Sequence, residues 1–147
     1  SKIADLQQLV APAQTIFISA SLEEELRKLD SDDAAEMLGE YGMTQLGLNA
    51  LIDSAYSTLG LQSYLTAGVQ EVRAWTIKRG ATAPQAAGVI HGDFEKGFIA
   101  AQIMSSADLL EAGSEAAAKS AGKVRTEGKT YIMQPDDVVE FRFNVSK

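Results

Sequence analysis

The sequence of 147 residues predicts an α+β fold in two parts: a mostly helical segment over residues 1–59, and a small mixed sheet gripping one helix over residues 61–145. Three observations carry this expectation. Apolar spacing is helical up to Leu59 and becomes strand-like after Gly60. Charge changes at the same place: residues 1–59 hold three basic and ten acidic side chains, the entire net charge of −7, whereas residues 60–147 hold ten of each. The chain is 46% hydrophobic and 22% charged, which suffices for one core or two small ones.

Taken in order, Thr15-Ile-Phe-Ile-Ser19 reads as a short buried strand, β-branched and aromatic. Ser21 and Glu24 form a capping-box pattern that opens a helix, with Leu22, Leu26 and Leu29 on one stripe. A second helix is expected from about Asp32 to Tyr41, stopped by Gly42. A third places Leu48, Leu51, Ile52, Ala55, Tyr56 and Leu59 on one face, with Gly60 as its stop.

Beyond Gly60, Tyr64–Ala67 and Val72–Ile77 read as strands of a hairpin around Gly68, and Lys78-Arg-Gly80 as a turn. Thr82-Ala-Pro-Gln85 is a second capping box, with proline in the first turn, opening a small-residue helix to about His91. Phe98–Met104 is an uncharged strand, and helical pieces follow at about Ala107–Ala112 and Glu115–Ala121. Tyr131–Gln134 reads as a strand, Pro135-Asp-Asp137 as a turn, and Val138–Val145 as a closing strand whose Val139, Phe141 and Phe143 face the core while Glu140 and Arg142 face water. The order β-β-α-β, short helices, β-β is that of a β-grasp arrangement.

The absence of cysteine excludes a disulfide framework, thiolate ligation of zinc or iron–sulfur, and a cysteine nucleophile. No run of 18 apolar residues and no secretory leader pattern is present, so no membrane partner is expected and a cytoplasmic location is the default. The acidic balance at first argues against polyanion binding.

Long uninterrupted strings carry a family resemblance. Glu71-Val-Arg-Ala-Trp-Thr-Ile77, Gly80-Ala-Thr-Ala-Pro-Gln-Ala-Ala-Gly-Val-Ile-His91, Asp93-Phe-Glu-Lys-Gly-Phe-Ile99, Glu127-Gly-Lys129, Tyr131, Asp137 and Phe141-Arg-Phe-Asn-Val145 resemble the C-terminal domain of the YchF (Obg-like) ATPases. In that family the domain is called TGS and has a β-grasp, ubiquitin-like fold. The resemblance covers about Leu61–Val145 and continues more weakly through Gly47-Leu-Asn-Ala-Leu-Ile52 and Tyr56. It implies that residues 1–59 are the end of a P-loop nucleotide-binding domain, with Ser19, Ala20 and Ser21 where the family's last guanine-nucleotide-type motif borders the base.

The family's phosphate loop, Gly-x-x-x-x-Gly-Lys-Ser/Thr, does not occur in this sequence, nor do its switch segments, its base-reading Asn motif or its helical arm. The expectation is therefore a C-terminal piece of a longer ATPase that does not hydrolyse nucleotide by itself. ATP or GTP and Mg would belong to the intact parent, and no cofactor, metal or catalytic residue is expected here. The exposed strand 15–19 would be open to non-native dimerisation.

Residue by residue, the functional readings compete with plainer ones. His91, the only histidine, reads better as a helix-end cap on carbonyls than as a metal ligand or general base. Asp93 and Glu95 read as helix-start and surface charges rather than a paired acid and base. Trp75 reads as core packing, with base stacking as the alternative that Arg73, Lys78 and Arg79 keep open. The basic cluster Lys119, Lys123, Arg125 and Lys129 stands between phosphate contact and a solvated helix end. The uncharged stretch Ala81–Ile90 reads as close helix-on-sheet packing.

Two functions follow. The resemblance implies an RNA- or ribosome-binding module recognising structured RNA through Arg73, Trp75, Lys78, Arg79, Lys119, Lys123, Arg125 and Lys129. The alternative is an intramolecular regulatory domain that packs near its own nucleotide-binding domain and controls the parent's hydrolysis.

Overall fold

A computed structural model describes residues 2–68 and 71–144. The chain divides into two compact units, Ser1–Leu59 and Gly60–Lys147. Val69 and Gln70 at the tip of the expected hairpin, and Val145 at the end of the closing strand, lie outside the described residues.

The described part of the first unit is helical: α1 (Lys2–Val10), α2 (Ala20–Leu26), α3 (Ser31–Glu40) and α4 (Gly47–Leu59). Asp30 caps α3, its carboxylate accepting from the N–H groups of Asp32 and Asp33 at 3.1 and 3.0 Å. Gly42 and Gly60, at φ 66° and 63°, take the left-handed turn that ends α3 and α4. The helix α1 was not anticipated, although Ile3, Leu6 and Val10 keep helical spacing.

Several expectations are corrected here. Residues 15–19 form no strand; they run as an irregular segment with Phe17 and Ile18 exposed. A strand needs a neighbour for its backbone N–H and C=O groups, and every described strand of the chain pairs within the second unit. Without a strand, the edge on which dimerisation through residues 15–19 depended is missing. The Ser21 capping box also does not form. The cap lies two residues earlier: Ser19 occupies the cap position without a side-chain bond to the backbone, and its Oγ lies 3.3 Å from Ser21 Oγ. Leu22 and Leu26 are buried, but Leu29 lies past the helix end and is exposed. On α4 the apolar face is right in register yet Leu48, Leu51, Ile52 and Leu59 are exposed.

The second unit contains β1 (Leu61–Ala67), β2 (Val72–Lys78), α5 (Ala83–Ile90), α6 (Gly92–Lys96), β3 (Phe98–Ser105), α7 (Ser106–Ala112), α8 (Glu115–Ser120), β4 (Arg125–Glu127) and β5 (Asp137–Phe143). They build a mixed five-stranded sheet in the order β2-β1-β5-β3-β4. The central pair β1 and β5 is parallel, with Leu65 opposite Val138, and the other pairs are antiparallel. The main core lies between the sheet and α5, where Tyr64, Ile77, Phe98, Ile103, Met133 and Val139 surround Ala83, Ala86 and Ala87. The Ala–Gly composition of α5 is what permits this close approach.

A smaller cluster of Met104, Ala118 and Val138 lies across the strand alternation, against α7 and α8. So β5 is not dry on one side and wet on the other: Glu140 and Arg142 are exposed, but Val138 before them is buried. Tyr131–Gln134 is also not a strand. It makes a single bridge, Ile132 to Thr82, because its partner turns at once into α5. Flanking bonds from Ala83 N–H to Tyr131 O (2.9 Å) and from Met133 N–H to Ala81 O (3.0 Å) carry Met133 into the core. The strand β4, charged and only three residues long, and the short helix α6 were not anticipated.

Candidate nucleic-acid interface

The strand β2 is the outermost strand on one side of the sheet. Alternation puts Arg73, Trp75 and Ile77 on one of its faces, toward α5. Ile77 is buried in the core, and Trp75 is half-buried against it. The indole Nε1–H donates to Thr66 Oγ1 at 2.9 Å, which fixes the ring. Above the ring lies Arg73, its Cζ 4.2 Å from the ring centroid, within cation–π range. Glu71 lies 3.9 Å from Arg73, a long ion pair between exposed side chains, of little energetic weight. Trp75 is therefore packed against the core and covered by Arg73.

At the end of β2, Arg79 closes the turn, its N–H donating to Gly60 O at 2.8 Å and its Nε–H to Leu61 O at 3.2 Å. Lys78 is exposed and makes no ion pair among the described residues. Beside them a groove of about 380 Å³ runs between β2 and α5, lined by Ile77, Lys78, Arg79, Gln85, Val89 and Glu95 among others.

The remaining four cations lie on α8, on β4 and beside β4 in sequence. Lys123 pairs with Asp108 at 2.9 Å. The Ser105 hydroxyl, donating at 2.7 Å, and then Lys123 hold the Asp108 carboxyl below the usual range, and Asp108 in turn raises Lys123. Arg125 on β4 lies 3.7 Å from Glu127 and 3.9 Å from Asp137, and its Nη2–H donates to the Tyr131 hydroxyl at 3.3 Å. Asp137, only 4% exposed, accepts from Tyr131 Oη at 3.0 Å and from the Gln134 N–H at 2.8 Å. Burial, then the Asp137 bond, pushes the Tyr131 hydroxyl up to about 12. Lys119 and Lys129 are exposed and make no ion pair among the described residues.

The eight residues named from sequence are thus not one patch. Arg73, Trp75, Lys78 and Arg79 gather at the β2 edge, while Arg125 lies on β4 at the other edge, Lys123 and Lys129 flank that strand in sequence, and Lys119 lies on α8. Three strands lie between, which at ~4.8 Å per strand spacing separates the outer strands by about 19 Å. Sequence spacing could not reveal this, because the strand order is not the chain order.

His91 is corrected as well. It does end α5, where its backbone N–H donates to Ala87 O at 3.3 Å, but its side chain caps the start of α6, the Nδ1 accepting from the Asp93 N–H at 3.2 Å. Asp93 and Glu95 lie in the first turn of α6, where the helix dipole favours acid. Among the described residues no group of three or more His, Asp or Glu is placed to hold a metal ion, and no helix is long and apolar enough to cross a membrane. In the first unit, Ser19, Ala20 and Ser21 are exposed at the start of α2. They offer a base at most a backbone edge, and nothing there has the glycine-rich loop and lysine that phosphates need.

Comparison with known proteins gives a consistent result. The family model YchF-GTPase_C, described as a protein of unknown function (DUF933), matches residues 61–144. The ribosome-binding ATPase YchF of Bacillus subtilis is 51% identical over 133 residues, covering 90% of this chain and 36% of that protein. Obg-like ATPase 1 of Gallus gallus is 48% identical over 132 residues, covering 90% of this chain and 33% of that protein. The solved structure of the Schizosaccharomyces pombe YchF GTPase superposes with a TM-score of 0.73 at 38% identity, covering 96% of this chain and 37% of that one. The chain therefore spans about a third of the length of these relatives.

Proposed function

The chain belongs to the YchF-GTPase_C family, the C-terminal region of YchF/Obg-like ATPases, and from that premise we propose that it is an RNA- or ribosome-contacting part of a longer ATPase. In this reading residues 61–145 are a TGS domain of β-grasp fold. The strand order β2-β1-β5-β3-β4, with its parallel centre and α5 across one face, supports that reading. Residues 1–59 are then the end of the nucleotide-binding domain. ATP or GTP and Mg would be held by other parts of the longer protein. The donor set of this chain does not fit them, and no hydrolytic step runs through its residues.

One observation carries the binding reading: the exposed strand edge where Arg73 lies over a fixed Trp75, with Lys78 at the end of the same strand and Arg79 in the turn that follows. The relative named a ribosome-binding ATPase points to the same partner. Electrostatic attachment to phosphates releases counterions, so binding must weaken with salt. Cosedimentation of the chain with ribosomes is expected at low salt and to fall log-linearly as salt rises. Each phosphate-contacting cation replaced by alanine is expected to reduce that slope by about 1. Failure to bind ribosomes or RNA at the lowest salt would sink the proposal.

For the regulatory alternative, in which this part packs near its own nucleotide-binding domain, α5 buries Ala83, Ala86 and Ala87 against the sheet and leaves Val89 exposed.

A further inference from the structure

We infer that the β2 edge is a track for unpaired nucleotides of single-stranded RNA, with the Arg73–Trp75 stack as one base platform and the groove beside Ile77 as the next base position. This rests on the reading of the chain as an RNA-contacting module and narrows it to one sheet edge and to unpaired bases.

Three features of that edge point beyond simple phosphate attachment. The first is preorganisation. Trp75 is held by Thr66, and the exposed side chain of Arg73 lies over the ring with its Cζ 4.2 Å from the centroid. Guanidinium planes and aromatic rings are the surfaces on which unpaired bases stack; paired bases in a duplex cannot reach them.

The second is the groove. Residues two apart on a strand lie about 6.8 Å from one another, so Ile77 and the groove continue the line that Arg73 and Trp75 begin. Its walls, Ile77, Ala81 and Val89, are apolar. Its polar groups are of both kinds. The Gln85 Oε1 is taken by the Thr82 N–H at 2.9 Å, which leaves the amide NH₂ to donate, and the Glu95 carboxylate can accept. A donor and a carboxylate lining one groove suit the edge of a base, and the carboxylate repels a phosphate. Phosphates would then run outside, by Lys78 and Arg79.

The third is the contrast with the β4 edge. There the two best-placed cations are already engaged, Lys123 by Asp108 and Arg125 by Glu127, Tyr131 and Asp137, and no tryptophan lies near.

Trp75 is the only tryptophan, so its fluorescence reports this edge without any added label. The 147-residue chain would be titrated with a short single-stranded RNA, with the duplex of the same sequence, and with polyglutamate as an anion lacking bases. The single strand is expected to quench Trp75 and to bind about tenfold tighter than the duplex. Arg73→Lys keeps the charge and removes the stacking plane; it should weaken single-strand binding about tenfold while leaving the salt slope unchanged. Lys123→Ala should change neither. Circular dichroism of each variant separates lost binding from lost folding. Equal binding of duplex and single strand without quenching would overturn the inference while leaving salt-dependent RNA attachment intact. Equal quenching by polyglutamate would overturn it in favour of an acidic peptide. No RNA binding at the lowest salt would remove the underlying reading itself.

Discussion

At Gly97 the fold leaves room for a hydrogen atom and nothing more. A Cβ there would lie 1.9 Å from the Asn144 carbonyl oxygen and 3.1 Å from that of Asp93. The backbone angle is ordinary, φ −89°, so the constraint is contact and not conformation. Gly97→Ala must part the end of α6 from the end of β5, and should cost about 2 kcal/mol, read as a lower urea midpoint at unchanged slope. Asp108 makes a prediction in pH. The Ser105 hydroxyl and then Lys123 lower its carboxyl in the folded state. A lowered carboxyl stabilises the fold above its unfolded value, near pH ~4, and that contribution is lost as pH falls through the folded value. The stability difference between wild type and Asp108→Asn should therefore be present at neutral pH and vanish in acid, measured as urea midpoints across pH. Gly97 was invisible as a constraint in the sequence, since it depends on Asn144, distant along the chain; Asp108 depends first on Ser105, three residues before it, and only its Lys123 partner is distant.

Among the elements, α5 is the one its own sequence specifies best. Gln85 accepts the Thr82 N–H at 2.9 Å, and Pro84 sits in the first turn, where its missing N–H is harmless. Gln85→Ala should lower stability by about 1 kcal/mol, seen as a lower melting temperature with the sheet otherwise intact. Glycine stops and apolar periodicity likewise placed α3, α4, β3 and β5 close to their observed bounds. The misses share one cause. Residues 15–19 and 131–134 have strand composition, but a strand exists only where a partner ladder does: the first has none among the described residues, and the second meets a segment that turns into a helix. The strand β4 is the converse, with charged residues of no strand-like pattern recruited because β3 offers Ala101, Gln102 and Ile103 as partners.

Across the whole molecule, both hydrophobic clusters draw their residues from Tyr64 onward. Residues 60–147 expressed alone should therefore fold, with a urea midpoint by Trp75 fluorescence equal to that of the full chain; a markedly lower midpoint would show that residues 1–59 contribute to that core. The first unit differs in kind. Its buried residues include Leu22, Leu26 and Gly47, while Ile3, Leu6, Leu9, Leu48, Leu51, Ile52 and Leu59 are exposed, so its described helices bury little of their apolar surface within the unit. The sequence by itself determined the α+β class, most element types and, through long uninterrupted strings, the family. These are local properties, legible because capping, periodicity and residue identity act within a few positions of one another. Only the tertiary structure decided which basic residues share a surface. Strand order in a mixed sheet is set by pairing across the whole chain, so β2 with Arg73 and Lys78, and β4 with Arg125, came to opposite edges. One edge kept its arginine on a tryptophan beside an open groove, and near the other, two cations pair with carboxylates of their own.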